Sequence, residues 1–278
     1  MAKHPAEIFG HPLKGASEKA LKDRKRYWCP FVDMKCNKPS RLIRYPMGVC
    51  SVQYGKAVVA LSPRRFLQDS IVFKNIADHY FKDRRDLLLF SEVGLPKVGN
   101  FDYVMVKHRP MSSDIEDFVI IEFQTGQTTG TGELVDALKE FMKGDDVEGK
   151  TYGFGLNLAD IWKRSFTQIL NKGIILENWK HKIYWVVQEP VYQNLLNRYN
   201  LNGLKFNSDH ATIFAIYDLK RTGQKYELYP TRIESSTTDA LFRAFRTNPD
   251  IPSKDDFVIK LSQKIKDKMG LKLQFRSE

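Results

Sequence analysis

The sequence lacks the features that mark membrane and secreted proteins. Its 278 residues contain no apolar run of about 18 residues, and the N-terminal MAKHPAEIFGHPLKG lacks the charged-then-apolar layout of a secretory signal. The three cysteines cannot all pair with one another, so a disulfide framework is not expected. Internal repeats and low-complexity tracts are also absent. These absences predict a soluble intracellular protein in a reducing compartment.

The composition does supply core material and positive charge. Hydrophobic residues make up 42% and aromatic residues 12%, enough for one large or two modest globular domains. Lys and Arg number 44 against 33 Asp and Glu, which gives a formal charge of +11 and a pI near 9.4. This balance favours polyanionic partners such as nucleic acid, although a solvated basic surface would give the same composition.

Two acidic residues are predicted to meet on neighbouring strands. The runs FDYVMV (101–106) and FVIIEFQT (118–125) are β-branched and aromatic, and a polar connection separates them. Asp102 opens the first run and Glu122 lies late in the second. Residues two apart on a strand share a face, so Glu122 and Gln124 should point the same way and Phe123 the opposite way. Such a pocket suits a hard divalent cation.

The remaining pattern alternates helices and strands, which predicts an α/β fold with a mixed central sheet flanked by helices. A helical pattern follows Arg64, and a basic segment within residues 1–26 is expected to form a surface arm or helix. Asn157 is a good N-cap for an amphipathic helix that Gly173 can end. A lysine-rich helix is predicted over residues 253–270.

The residues around the two acids resemble those of known enzymes. An acid on each of two neighbouring strands resembles the PD-(D/E)XK nucleases, and seven motifs in order resemble the NotI-type restriction endonucleases. These motifs are IFGHP (8–12), CPF (29–31), GVCSV (48–52), SPRRFL (62–67), FDYVMV (101–106), IEFQT (121–125) and NLADIWKRSFTQ (157–168). The resemblance implies a type II restriction endonuclease that uses Mg²⁺ to hydrolyse double-stranded DNA at a specific sequence. It also implies a nuclease domain over residues 67–278 behind a small metal-binding module over residues 1–66.

The resemblance assigns roles to the acids. Asp102 and Glu122 would bind Mg²⁺, with Glu92 as an extra acid, and the Phe123 carbonyl could contribute a ligand. Gln124 stands where the common pattern has a lysine.

An amide carries no charge and is neither acid nor base at neutral pH, so another residue must supply the positive charge. Lys163 is our candidate catalytic replacement, with Arg164 and Lys172 in reserve. The alternative is that Lys163 only contacts DNA phosphate or solvent.

The cysteines form the second implied site. NotI-type enzymes hold a structural iron with four cysteines, and Cys29, Cys36 and Cys50 match three of them; zinc would suit such a site equally well. The fourth position is Ser62, and a neutral serine hydroxyl is a poor ligand, so His4, His11 or water would have to complete the site. The spacings are also wider than in a zinc knuckle, which leaves free buried thiols as the alternative.

The implied partners are double-stranded DNA, a second copy of the chain in a homodimer and a cognate DNA methyltransferase, all in the cytoplasm of a prokaryotic cell. Candidate base contacts are the N-terminal basic segment, two arginine pairs and the loop TGQTTGTG with Gln127. The arginine pairs are Arg41 with Arg44 and Arg64 with Arg65. Two other functions compete: a DNA-binding protein with a degenerate nuclease fold, and a repair nuclease without base specificity.

Overall fold

The computed structural model describes residues 1–201, 203–247 and 253–267. Within these ranges the strands are β1 Lys3–Ile8, β2 His11–Pro12, β3 Trp28–Cys29, β4 Met34–Lys35, β5 Val49–Tyr54, β6 Ala57–Ala60, β7 Leu87–Leu95, β8 Gly99–His108, β9 Ile115–Gln124, β10 Thr128–Thr129, β11 Gly155–Leu156, β12 Lys182–Gln188, β13 Thr212–Thr222 and β14 Lys225–Ser236. The helices are α1 Glu18–Lys25, α2 Ile71–Tyr80, α3 Thr131–Lys143, α4 Leu158–Trp179, α5 Glu189–Tyr199, α6 Thr238–Arg246 and α7 Lys254–Lys266, and a 3-10 segment covers Pro63–Ser70.

A six-stranded mixed sheet occupies the centre of the fold, which confirms the predicted architecture. Its order is β14-β13-β12-β9-β8-β7. The neighbouring strands β13, β12 and β9 run parallel, whereas β14 at one edge and β8 and β7 at the other join antiparallel. The parallel strands contain long buried apolar runs, because helices cover both faces of the sheet.

Alternate side chains on β12 enter two apolar layers. Trp185 and Val187 belong to the layer that contains the inner faces of α4 and α5, while Tyr184 and Val186 belong to the layer that contains α2. No helix in the described ranges combines the length and the apolar character needed to cross a bilayer.

A second sheet, antiparallel and in the order β2-β1-β5-β6, is built from residues 3–60. The strand β1 is buried along nearly its whole length. Its buried Glu7 is accommodated because Ser51 Oγ on β5 donates a hydrogen bond to Glu7 Oε2 at 2.7 Å. The surface helix predicted for the basic segment KGASEKALKDRKR is confirmed as α1, most of whose residues are exposed.

Arg65 joins the two sheets. Its fully buried guanidinium donates to Glu7 Oε2 on β1 at 2.8 Å and to the Tyr226 carbonyl on β14 at 2.6 Å. It also lies 4.7 Å from the centroid of the Phe31 ring. Buried apolar residues from both sheets form one hydrophobic cluster that extends to both sides of residue 66. The division of the chain into domains at this residue stays a prediction.

The helical pattern after Arg64 is interrupted. Residues Asp69 and Ser70 have left-handed φ values of 51° and 55°, so the 3-10 segment and α2 are separate. The break lets the Gln68 side chain turn inward, where its Oε1 accepts hydrogen bonds from Arg65 at 2.7 Å and from the Leu228 N–H at 2.9 Å. Tertiary contacts here override the local helical pattern.

The predicted start of α4 is confirmed and its predicted end is wrong. Asn157 caps the helix, since its side chain accepts from the Asp160 N–H at 3.3 Å. The helix then continues through Gly173 to Trp179. A Cβ on Gly173 would lie 2.6 Å from Thr238 Oγ1 on α6 and 3.2 Å from Thr212 Oγ1 on β13. This glycine therefore permits close helix packing and does not end the helix.

The last predicted helix is confirmed as α7 for residues 254–266. Ser253 caps it, accepting from the Asp256 N–H at 3.0 Å. Residues 268–270 of the predicted segment lie outside the described residues.

We predict that Gly173→Ala destabilises the protein. Alanine favours a helix by about 1 kcal/mol over glycine, but overpacking typically costs about 1–3 kcal/mol, so we expect a net loss in the free energy of unfolding. Urea unfolding of the two proteins measures this difference.

The matched control is Thr238→Ala in both backgrounds. The Thr238 hydroxyl has no hydrogen-bond partner among the described residues, so its removal relieves the contact without breaking a bond. In the Thr238→Ala background, Gly173→Ala should become neutral or stabilising. A Gly173→Ala variant as stable as the parent, with Thr238 intact, would contradict the close-packing role.

Candidate active site

The strands β8 and β9 bring Asp102 and Glu122 together. Tyr103 pairs with Ile121 in the antiparallel register, so the next pair along the strands is Asp102 and Glu122. Asp102 is held across the strands, because its Oδ2 accepts a hydrogen bond from the Phe123 N–H at 2.8 Å. Both carboxylates line a cleft of about 240 Å³.

The predicted alternation along β9 is confirmed. Glu122 and Gln124 face the cleft beside α4, and Phe123 directs its ring to the other layer. There its centroid lies 5.4 Å from that of Phe66 and 5.1 Å from that of Tyr103. One strand thus delivers two polar groups to the cleft and an aromatic anchor to the core.

One face of α4 forms the opposite wall of the cleft. Ile161, Ser165, Gln168 and Lys172 follow one another at helical spacing and all line it. Ser165 Oγ donates to Gln124 Oε1 at 2.5 Å. This bond fixes the amide oxygen on Ser165, and the two amide N–H donors of Gln124 remain for other partners in the cleft.

Lys172 is the cation beside the carboxylates. Its Nζ donates to Glu122 Oε1 at 2.7 Å and to the Asn100 carbonyl at 2.8 Å, and its side chain is only 4% exposed. The ammonium also lies 5.1 Å from the centroid of the Phe101 ring.

Lys163, our first candidate for this role, is not in the cleft. Its side chain is 65% exposed, and its Nζ lies 3.4 Å from Asp160 Oδ1. Lys172 lies nine positions further along the chain, and at about 100° per residue this places the two lysines on opposite sides of α4. A sequence signal for Lys172 existed: it continues the inner face that Ile161 and Ser165 begin.

Burial dominates the electrostatics of the acid pair. It raises the pKa of Glu122 to about 7, although the Lys172 ammonium acts in the opposite direction, and the charge of Asp102 raises it further. Burial likewise raises the pKa of Asp102, against the hydrogen bond from the Phe123 N–H. Two buried carboxylates side by side destabilise the folded protein unless a cation lies beside them.

The donor set fits Mg²⁺. This ion takes one or two carboxylates and completes its octahedron with water and phosphate oxygens, and the cleft is open to admit them. Asp102 and Glu122 are the residues that would hold it.

The structure places Glu92 close to this pair. On β7, Ser91 pairs with Tyr103 and Val93 with Phe101, so Glu92 lies opposite Asp102. Its negative charge helps to raise the pKa of Asp102. It has a left-handed φ of 54°, which is unusual for a non-glycine residue in a strand. Glu92 does not line the cleft itself.

A second cavity continues from the cleft past Thr125 and Gln127, which line both. Arg41 lines this second cavity, and Gln127 accepts a hydrogen bond from Arg164 on α4. These positions are open to a ligand. Arg65 is not, because it is fully buried in its ion pair with Glu7. Its prediction as a base contact is wrong.

The three cysteines lie near enough to one another to interact electrostatically. In the described part of the chain, no group of three or more His, Cys, Asp or Glu side chains is arranged to hold a metal ion. Cys29 and Cys50 are buried, and burial raises the pKa of both thiols. The Cys50 thiol donates to the Gly48 carbonyl at 3.5 Å.

Each residue proposed to complete the cysteine site makes another contact in the structure. Ser62 is beside Cys50, where its N–H donates to the Cys50 carbonyl at 3.2 Å. His11 is bonded to Asp23 at 2.9 Å and His4 to the Pro5 carbonyl at 2.7 Å. In these contacts the three cysteines are free thiols, and His4 and His11 are hydrogen-bonded to other groups.

A mixed sheet flanked by helices, with an acid pair at a cleft between two strands and a helix, fits a nuclease fold. Comparison with protein families agrees: the model described as Restriction endonuclease NotI matches residues 15–229. The chain belongs to this family of type II restriction endonucleases, which implies DNA cleavage. The match covers both acids, α4 and all three cysteines. No curated protein matches the chain.

We predict that Arg65→Met lowers the free energy of unfolding by about 3–5 kcal/mol, because it leaves the buried Glu7 without its cation. Urea unfolding measures the loss. Arg64→Met is the control, since a half-buried neighbour outside the ion pair should change stability by less than about 1 kcal/mol. Unchanged stability of Arg65→Met together with lost DNA binding would restore the base-contact role.

Proposed function

We propose that the protein is a Mg²⁺-dependent, site-specific deoxyribonuclease that hydrolyses phosphodiester bonds of double-stranded DNA. The observation that carries this proposal is the pairing of Asp102 and Glu122 in an open cleft, in a chain of the NotI family. In this proposal both carboxylates hold the ion, and Glu92 adds negative charge from the neighbouring strand. The Phe123 carbonyl is a further candidate ligand.

The residues of the cleft position the substrate. A bound Mg²⁺ would neutralise phosphate charge and promote attack by water. Gln124, held by Ser165, presents amide N–H groups to the phosphate or to the water, although it cannot transfer a proton. Asp102 is kept in place by the Phe123 N–H, so the acid pair is formed before DNA arrives.

The basic surface supports DNA as the substrate. The chain has an excess of 11 positive charges, and Arg41 and Arg164 line the paired cavities at the cleft. Cations there would contact phosphates and position the duplex. A homodimer on a palindromic site, a cognate methyltransferase and a cytoplasmic location in a prokaryotic cell complete the proposal, and they rest on the family.

The function is tested by digestion of plasmid and phage DNA with Mg²⁺. We expect discrete bands, because a type II enzyme cuts at one sequence. A smear would indicate a nuclease without base specificity, and binding without cleavage would indicate a degenerate site.

Glu122→Ala should lower the cleavage rate by at least about 10³-fold, since it removes a metal ligand. The DNA affinity of this variant without metal, measured by fluorescence anisotropy, should not fall. Retained cleavage by Glu122→Ala would show that the active site is elsewhere.

For the cysteines, an iron or zinc site is the implication of the family, but the contacts favour the alternative of free structural thiols. The Cys50 thiol is buried and hydrogen-bonded, and the fourth position is Ser62.

Elemental analysis of protein purified without chelator should therefore give less than about 0.2 iron or zinc per chain. Ser62→Cys, which restores the fourth thiol beside Cys50, should raise this value. A stoichiometric metal in the unmodified protein would contradict the proposal and establish the metal site.

A further inference from the structure

Hydrolysis of a phosphodiester calls for positive charge beside the scissile phosphate, and Gln124 supplies none. Two cations line the cleft in the described structure, Arg164 and Lys172. Arg164 is exposed and bonded to Gln127, on the side of the second cavity. Lys172 is buried and bonded directly to Glu122. The two cations are therefore not equivalent.

The hydrogen bonds of Lys172 leave one donor free. An ammonium group has three N–H donors, and those of Lys172 have two partners among the described residues, Glu122 Oε1 and the Asn100 carbonyl. These two bonds and the Phe101 ring fix the direction of the group. Because Lys172 lines the cleft, a ligand bound there would be the partner for the third N–H.

Burial of a lysine is unfavourable, and an apolar residue could fill the same space on α4. If Lys172 served only to neutralise Glu122, its side chain would not need to line the cleft. The position of Lys172, 2.7 Å from a carboxylate of the acid pair, suits a group that acts on the same phosphate as that pair.

We propose that Lys172 is the active-site lysine of this enzyme, supplied by α4 in place of the strand position occupied by Gln124. Its third N–H donates to a non-bridging oxygen of the scissile phosphate, and its charge compensates the acid pair. This inference rests on the proposed function and adds to it the residue that binds the phosphate.

The first experiment removes the ammonium and keeps its stem, as Lys172→Met. The single-turnover cleavage rate with Mg²⁺ should fall about 10²–10³-fold. The KM for DNA should change by less than about threefold, because the lost contact acts mainly in the transition state. Lys139→Met, at a partly exposed lysine on α3, controls for the loss of one positive charge and should cleave normally.

The second experiment moves the lysine. Gln124→Lys in the Lys172→Met background places an ammonium two residues after Glu122, and it should recover at least about tenfold of the lost rate. Lys163→Met tests the competing residue on the other side of α4 and should not reproduce the loss.

Two further measurements separate catalysis from folding. Lys172→Met should retain Mn²⁺ binding by calorimetry and a cooperative thermal transition, which would show that the acid pair is intact. Lost Mn²⁺ binding together with no recovery by Gln124→Lys would reduce Lys172 to a structural counter-ion and overturn the inference.

Cleavage by Lys172→Met at the unmodified rate would also overturn the inference but leave the proposed function standing. If the unmodified protein cuts no DNA with Mg²⁺ or Mn²⁺, both fail.

Discussion

The buried ion pair between Arg65 and Glu7 is the interaction on which the joint between the two sheets depends. One guanidinium satisfies a carboxylate of β1, a carbonyl of β14 and the side chain of Gln68, and it lies against Phe31 from the cysteine-containing loops. A charge buried this deeply is costly unless it is paired and hydrogen-bonded, and each of the three guanidinium nitrogens of Arg65 donates a bond. Its bonds therefore hold the N-terminal sheet at a fixed place against the six-stranded sheet.

The contact between the two sheets continues to the candidate active site. The Gly126 N–H, just beyond β9, donates to the Ala60 carbonyl of β6 at 2.8 Å. A Cβ on Gly126 would lie 2.6 Å from Val59 Cγ1, so only glycine permits such close approach. The segment that follows β9 thus rests on the second sheet, and Arg41 from the N-terminal region lines the cavity beside the acids.

Local sequence patterns predict that Asp102 and Glu122 form an acid pair, but they do not predict the position of Lys172. Strand alternation placed Glu122 and Gln124 on one face, and two adjacent strands placed Asp102 beside them. The roles of Arg65 and Gly173 depend on residues 58 and 65 positions away in sequence, Glu7 and Thr238, so no local rule could reveal them. Polar residues on a helix ordinarily face outward, and the buried Lys172 departs from that rule at the candidate site.

The close packing of α4 at Gly173 also restricts insertions and deletions within this helix. Each residue inserted into a helix turns everything beyond it by about 100° and moves it by about 1.5 Å. An insertion between Ser165 and Lys172 would therefore separate the residue that holds Gln124 from the one that holds Glu122. This stretch of α4 should therefore keep its length wherever the same cleft is built.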